Sequence, residues 1–193
     1  MTETLQTPSS LLTQCKQNQA EGWQKMHMLF GRLILYWCKN AGLNGEDRND
    51  VYQDVMLTLV KSIHSFQKNN PNDKFRKWLR AITRTRIVDF YRRKQTEPQN
   101  IEHLSRFESQ TLSENEMENP EEDQIENELL FQQIFELLKK NFTPQTMEAF
   151  RLMCYRGATS EEVAKILGMT SSAVRAAKKR VLDQIRQQFG DLL

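Results

Sequence analysis

The feature that most constrains the fold of this chain is a break in its pattern. From Gln95 to about Asp123 it runs through 29 residues rich in Glu, Asn, Ser and Gln, with two prolines and only scattered Ile, Leu, Phe and Met. A segment of that composition buries too little apolar surface to offset the entropy of ordering it, and it reads as a linker. On either side, apolar residues recur at the three- and four-residue steps of amphipathic helices. A length of 193 residues admits one domain or two small ones. The pattern predicts an all-α chain of two small helical domains joined by a flexible acidic linker. Residues 1–22 form an N-terminal tail, 23–95 a first helical bundle, 96–124 the linker and 125–193 a second helical unit.

In the first half, Trp23, Met26, Phe30, Leu33, Ile34 and Trp37 predict a helix from Trp23 to Lys39 with one buried face. The two glycines of AGLNGEDRND break it. A second helix follows from about Asp47 to Phe66, with Val51, Val55, Leu59, Ile63 and Phe66 on one side and a more polar face beginning at Tyr52, Gln53 and Asp54. FQKNNPND, from Phe66 to Asp73, is a loop, because Pro71 disfavours helix at the residue before it. The third helix is KFRKWLRAITRTRIVDFYRRK, Lys74 to Lys94. Earlier, Leu11, Leu12 and Cys15 could begin a short helix in an otherwise polar, frayed terminus.

Nine of the 21 residues from Lys74 to Lys94 are basic, one is acidic (Asp89), and Phe75, Trp78, Phe90 and Tyr91 are set among them. Two readings stand. Cations that neutralise phosphates, together with rings that stack on unpaired bases, make a nucleic-acid surface. An amphipathic helix with its rings in a core and its charges in water has the same composition. The net charge of +2 hides a segregation, since Thr96 to Glu128 carries eleven carboxylates against the single cation Arg106. Such asymmetry points towards nucleic acid or a built electrostatic contact.

In the second half the helical period returns at Ile125 and runs through Leu129, Ile134, Leu137 and Leu138, then Phe142, Met147, Phe150 and Leu152. In TSEEVAKILGMTSSAVRAAKKRVLDQIRQQF, Thr159 or Ser160 can cap a short helix to Leu167, and Gly168 makes a turn. Thr170 or Ser171 then caps a second helix to about Phe189. Ala164, Ile166, Leu167, Met169 and Val174 are the expected core. Helix, short turn and basic second helix make a helix-turn-helix, whose second helix enters the major groove. As a coil the linker averages roughly 30 Å end to end and stretched approaches ~100 Å. It could therefore join readers of two DNA elements two helical turns, about 70 Å, apart.

Other classes find little support. Cys15, Cys38 and Cys154 are odd in number, widely spaced and without ligand spacing to one another or to His27, His64 and His103. They read as small core residues of a reducing compartment. No metal or cofactor site, Gly-rich phosphate loop or nucleophile motif is present, so an enzyme is not expected. No basic segment precedes an apolar run at the N-terminus and no stretch approaches the length of a membrane span, which sets the expectation of a cytoplasmic protein.

The parts and their order resemble the extracytoplasmic-function (ECF, group IV) sigma factors of bacterial RNA polymerase. Asp50-Val51-Tyr52-Gln53-Asp54 is similar to the D-x-x-Q-(D/E) motif of their region 2.2, and Phe75-Arg76-Lys77-Trp78-Leu79 to the F-x-x-W-L of region 2.3. ITRTRIVDFYRR, Ile82 to Arg93, follows the region 2.4 pattern I-A-R-N-x-x-x-D-x-x-R-R in register, and Ser160 to Gln188 follows the region 4 helix-turn-helix. Two departures stand out: Thr85 replaces the usual Asn, and Thr83 the usual Ala.

The resemblance implies a sigma factor without catalysis of its own, a monomer when free, that directs core polymerase to promoters and helps to melt them. It assigns Asp50, Gln53 and Asp54 to the beta-prime clamp. To the minus-10 element it assigns Asn69, Asn70, Lys74, Arg76, Lys77, Trp78, Arg84, Thr85, Arg92 and Arg93. To the minus-35 element it assigns Ser171, Ser172, Arg175, Lys178, Lys179 and Arg180. It also implies a contact with the beta-flap, for which exposed apolar residues around Phe142 to Leu152 are candidates, and it admits an anti-sigma factor as a further partner. The competing reading is a stand-alone helix-turn-helix regulator of duplex DNA.

Overall fold

In the computed structural model, the structure describes residues 10–67, 75–94, 102 and 120–192. Among them the regular elements are helical. They are α1 (Leu11–Lys16), α2 (Ala20–Asn40), α3 (Gly45–Ser62) with a 3-10 turn at Ile63–Ser65, α4 (Phe75–Arg93), α5 (Pro120–Leu138), α6 (Pro144–Cys154), α7 (Ser160–Leu167) and α8 (Ser171–Phe189). No described helix is long and apolar enough to cross a membrane.

The first bundle is built on α2, whose Met26, Leu29, Phe30, Leu33, Ile34 and Cys38 are all fully buried. Against it lie Val51, Val55 and Leu59 of α3 and Phe75, Leu79, Ile87, Phe90 and Tyr91 of α4. Each such side chain removed from water stabilises the fold by roughly 1.5–3 kcal/mol, which is how helices this polar on their outer faces hold together. The polar terminus takes part from Ser10 onwards. The Ser10 hydroxyl caps α1, and Leu11, Leu12 and Cys15 are buried against α2. Gly22 permits this approach, because a Cβ there would sit 2.7 Å from the Cβ of Gln14.

α5 begins at Pro120, five residues before the periodicity predicts, and packs along α2 through Leu130, Ile134 and Leu138. One apolar cluster therefore joins the two halves: it runs from α1 to α4 through α5 and α6 to Val181, Phe189 and Leu192. A second, smaller cluster of Ala149, Leu152, Val163, Val174 and Ala177 belongs to α6, α7 and α8 alone.

Several expected placements are corrected. Ile166, expected in the helix-turn-helix core, is 65% exposed, and Val163 and Ala177 take that position. Ile166 stands near the end of a helix only two turns long, beyond the cover of its partner helices. Met147, Phe150 and Leu152, candidates for an exposed flap-binding surface, are buried by α6 packing on α8. Cys154 is exposed rather than in a core.

Candidate nucleic-acid interface

α4 settles the two readings of its aromatic residues. Phe75, Phe90 and Tyr91 are buried, so they are core residues and offer no stacking face. Tyr91 donates its hydroxyl to the Ala41 carbonyl at 2.6 Å, and burial pushes its pKa up to about 12. Trp78 is half-buried, tilted against Phe66 and Phe75 at 5.2 and 5.4 Å between ring centres. The remaining periodicity leaves a polar outer edge. Lys77, Thr85, Arg92 and Arg93 are exposed and Arg84 is half-buried. Thr85 donates its hydroxyl to the Ala81 carbonyl at 3.0 Å, which leaves an acceptor oxygen and a methyl group facing out. Asn69, Asn70 and Lys74 lie outside the described residues.

On α3, Asp50 and Gln53 are exposed one turn apart, and the exposed Leu57 and Val60 continue the same face. Asp54 points instead to α4, where Arg93 donates to its Oδ2 at 3.0 Å. A residue expected at the polymerase thus holds one expected at DNA. Beside this pair, Lys94 reaches Asp47 at 2.5 Å and Arg86 reaches Asp89 at 3.0 Å. The Tyr52 hydroxyl meets Nδ1 of His27, and its own acidity is weakened by burial.

The basic N-terminal end of α4 meets the acidic start of α5. Arg76 donates to Asn127 at 2.7 Å and to Asp123 at 3.3 Å, and its Nε lies 3.4 Å from Glu126. Glu126 is only 1% exposed. It accepts from the Trp37 indole N–H at 2.6 Å and from Arg80, whose guanidinium also lies over the Trp37 ring at 5.5 Å. A buried carboxylate is tolerated only with partners of this kind. Sequence reasoning missed Glu126 as one more carboxylate in an acidic run. The signal was its register: it stands four residues before Leu130 and eight before Ile134, on the apolar stripe.

The helix-turn-helix is set by local chemistry. Thr159 and Glu162 form a reciprocal capping box at the start of α7, and the Thr159 hydrogen bonds hold the Glu162 carboxyl below its ordinary range. Gly168 takes the left-handed conformation at φ 63° that ends α7, and the Thr170 hydroxyl caps α8. Val174 and Ala177, fully buried, fix α8 against α7. This leaves Ser172, Arg175, Lys179 and Arg180 exposed and Ser171 and Lys178 half-buried. Arg175 folds back to Ser160 Oγ at 3.1 Å and to Glu161 at 3.5 Å.

Comparison with known proteins accounts for both halves. The family model for Sigma-70 region 2 matches residues 26–97, and that for Sigma-70, region 4 matches residues 140–187. Together they cover more than half of the chain and leave α5 in neither. The ferric citrate uptake sigma factor FecI of Escherichia coli (strain K12) is 26% identical over 175 residues, 91% of this chain and 89% of FecI.

Proposed function

The chain belongs to the sigma-70 family as an RNA polymerase sigma factor of the ECF type, and on that premise we propose how its surfaces divide the work. Residues 23–95 act as region 2 and 125–193 as region 4. Asp50 and Gln53, with Leu57 and Val60 beside them, bind the coiled-coil clamp of beta-prime. That contact combines polar specificity with an apolar patch of a size a helix can cover. Asp54 joins them or stays with Arg93, according to whether the clamp offers it a better cation.

At the minus-10 element, Lys77, Arg84, Arg92 and Arg93 hold phosphates. Thr85 meets a base through its methyl group and its one free acceptor, a narrower vocabulary than the donor and acceptor of asparagine. Asn69, Asn70 and Lys74 complete this surface. With Phe75, Phe90 and Tyr91 committed to the core, stacking on an unpaired base falls to Trp78. At the minus-35 element, Ser171, Ser172 and Arg175 read base edges while Lys178, Lys179 and Arg180 hold phosphates. The beta-flap contact uses exposed apolar side chains such as Tyr155 and Ile166. The protein supplies recognition and the polymerase supplies the chemistry.

The observation that carries this reading is the presence of two separate basic helices, α4 and α8, beside a polar-apolar face on α3 that is exposed among the described residues. A stand-alone duplex regulator has use for α8 alone. The test is reconstitution of core polymerase with the protein on a promoter library. Initiation from promoters sharing minus-10 and minus-35 elements is expected. Failure to bind core, with tight sequence-specific binding of the free protein to duplex DNA, would return the reading to a stand-alone regulator.

A further inference from the structure

Away from α3, α4 and α8, a groove of about 370 Å³ opens between α2, α5 and the end of α6. That is the size of a small-molecule site. Most of its wall comes from α5, which lies in neither family match, so the shared work of regions 2 and 4 does not account for it. One side is aromatic. The Phe131 and Tyr155 rings stack at 5.5 Å and 19°, and Phe135 leans on Phe131 at 6.5 Å and 32°. Glu128 takes the Tyr155 hydroxyl, which leaves the rings as a flat apolar wall.

Two polar groups of the groove have no partner among the described residues. Gln133 is only 8% exposed, yet its amide makes no hydrogen bond there. Burying an amide without a partner costs as much as losing a hydrogen bond. Leucine at this position, beside Ile134 and one turn from Leu130, would fill the space without that cost. The amide is not sealed in the core either; it lines the groove, where a bound group reaches it. Arg32, exposed on α2 at the rim, makes no ion pair with the described residues. The other charges are already met. Arg151 donates twice to Glu148, at 2.8 and 2.6 Å, and Glu136 is held by Lys139. The groove therefore keeps one unmatched cation and one unmatched amide opposite a wall of rings.

We propose that this groove binds a small planar organic anion, an aromatic carboxylate in chemical class. Its ring lies along Phe135 and Tyr155, its carboxylate pairs with Arg32, and the Gln133 amide donates to a carboxylate oxygen from within. Planarity follows from the flat wall. The negative charge follows from the cation left unpaired, and the hydrogen bond from the amide that the fold leaves without a partner. The site does not rest on the sigma reading, since a stand-alone regulator with this fold would carry it equally.

The test titrates the full-length protein with naphthoate by isothermal titration calorimetry, with naphthamide as the neutral ligand of the same shape. Saturable binding of one equivalent of naphthoate is expected, with weaker binding of the amide. Arg32→Gln, at an exposed position, should weaken naphthoate by roughly tenfold, as for one lost charge-assisted hydrogen bond, and leave naphthamide unchanged. Phe135→Ala should weaken both ligands. Gln133→Leu should weaken naphthoate while raising the melting temperature of the free protein, because it removes a buried amide that has no partner. A residue that served the fold alone would lower that temperature. Absence of saturable naphthoate binding would overturn the proposal, as would equal affinity for naphthoate in Arg32→Gln and the parent. A Gln133→Leu protein that melts lower and binds naphthoate as before would overturn it too.

Discussion

α4 and α8 have similar length and comparable positive charge, yet they present that charge in opposite ways. Along α4, Arg76 and Arg80 are bound to α5, Arg86 to Asp89, Arg93 to Asp54 and Lys94 to Asp47. Along α8, Arg175 touches Ser160 and Glu161 and Arg186 pairs with Asp183, whereas Lys178, Lys179 and Arg180 make no ion pair with the described residues. The first helix is largely neutralised by its neighbours; the middle of the second is open to solvent. A phosphate approaching α8 gains its full attraction at once. One approaching Arg76 must first displace carboxylates. Counting cations along a sequence therefore overstates the positive charge that α4 leaves open more than it does that of α8.

The largest effect expected from pressing on this comparison comes from the smaller core. Val174→Asp places a carboxylate among Ala149, Leu152 and Val163, where it has no partner, and should destabilise the helix-turn-helix by more than about 3 kcal/mol. Binding of a minus-35 duplex should be lost while binding to core polymerase through α3 persists, since Val174 belongs to the smaller cluster and not to the one that buries α3. Loss of both in a paired binding assay would show that the halves fold as one unit.

An intermediate effect belongs to Arg175. Arg175→Ala should relax base preference at one minus-35 position by roughly 1–3 kcal/mol in competition binding against a panel of substituted duplexes. A uniform weakening over the panel would make Arg175 a phosphate contact, and the contacts to Ser160 and Glu161 its resting place.

The smallest effect bears most directly on the two helices. Lys179→Ala should lower the slope of log affinity against log salt for duplex binding by about 0.9, the value for one lost phosphate contact. Arg76→Ala should leave the slope of the free protein unchanged, because its charge is already met by Asp123 and Glu126. Equal changes in the two slopes would erase the distinction between a neutralised and an open helix.

Much of this architecture is legible in the residues themselves. The Thr159 and Thr170 caps and the Gly168 turn depend on groups within four residues of one another, so local chemistry places them without help from the fold. The same holds for the apolar stripes of α2 and α3. Individual side chains were less legible. Ile166 obeys the helical period and is exposed, because a helix of two turns buries only the residues that face its partner. Phe75, Phe90 and Tyr91 sit among cations and are buried, because alternating charge and ring along the chain says nothing about which side of the helix each one takes.

By itself, then, the sequence determined the helices, their caps, the basic faces of α4 and α8 and the D-x-x-Q surface of α3. These follow from spacing and from contacts between near neighbours. The tertiary structure decided which of those charges are spent. Glu126 is indistinguishable in composition from the ten other carboxylates between Thr96 and Glu128. Its burial against Trp37, Arg76 and Arg80 depends on groups 46 to 89 residues away along the chain. Electrostatic pairing acts through space, and only the packing of α5 on α2 brings those groups within reach.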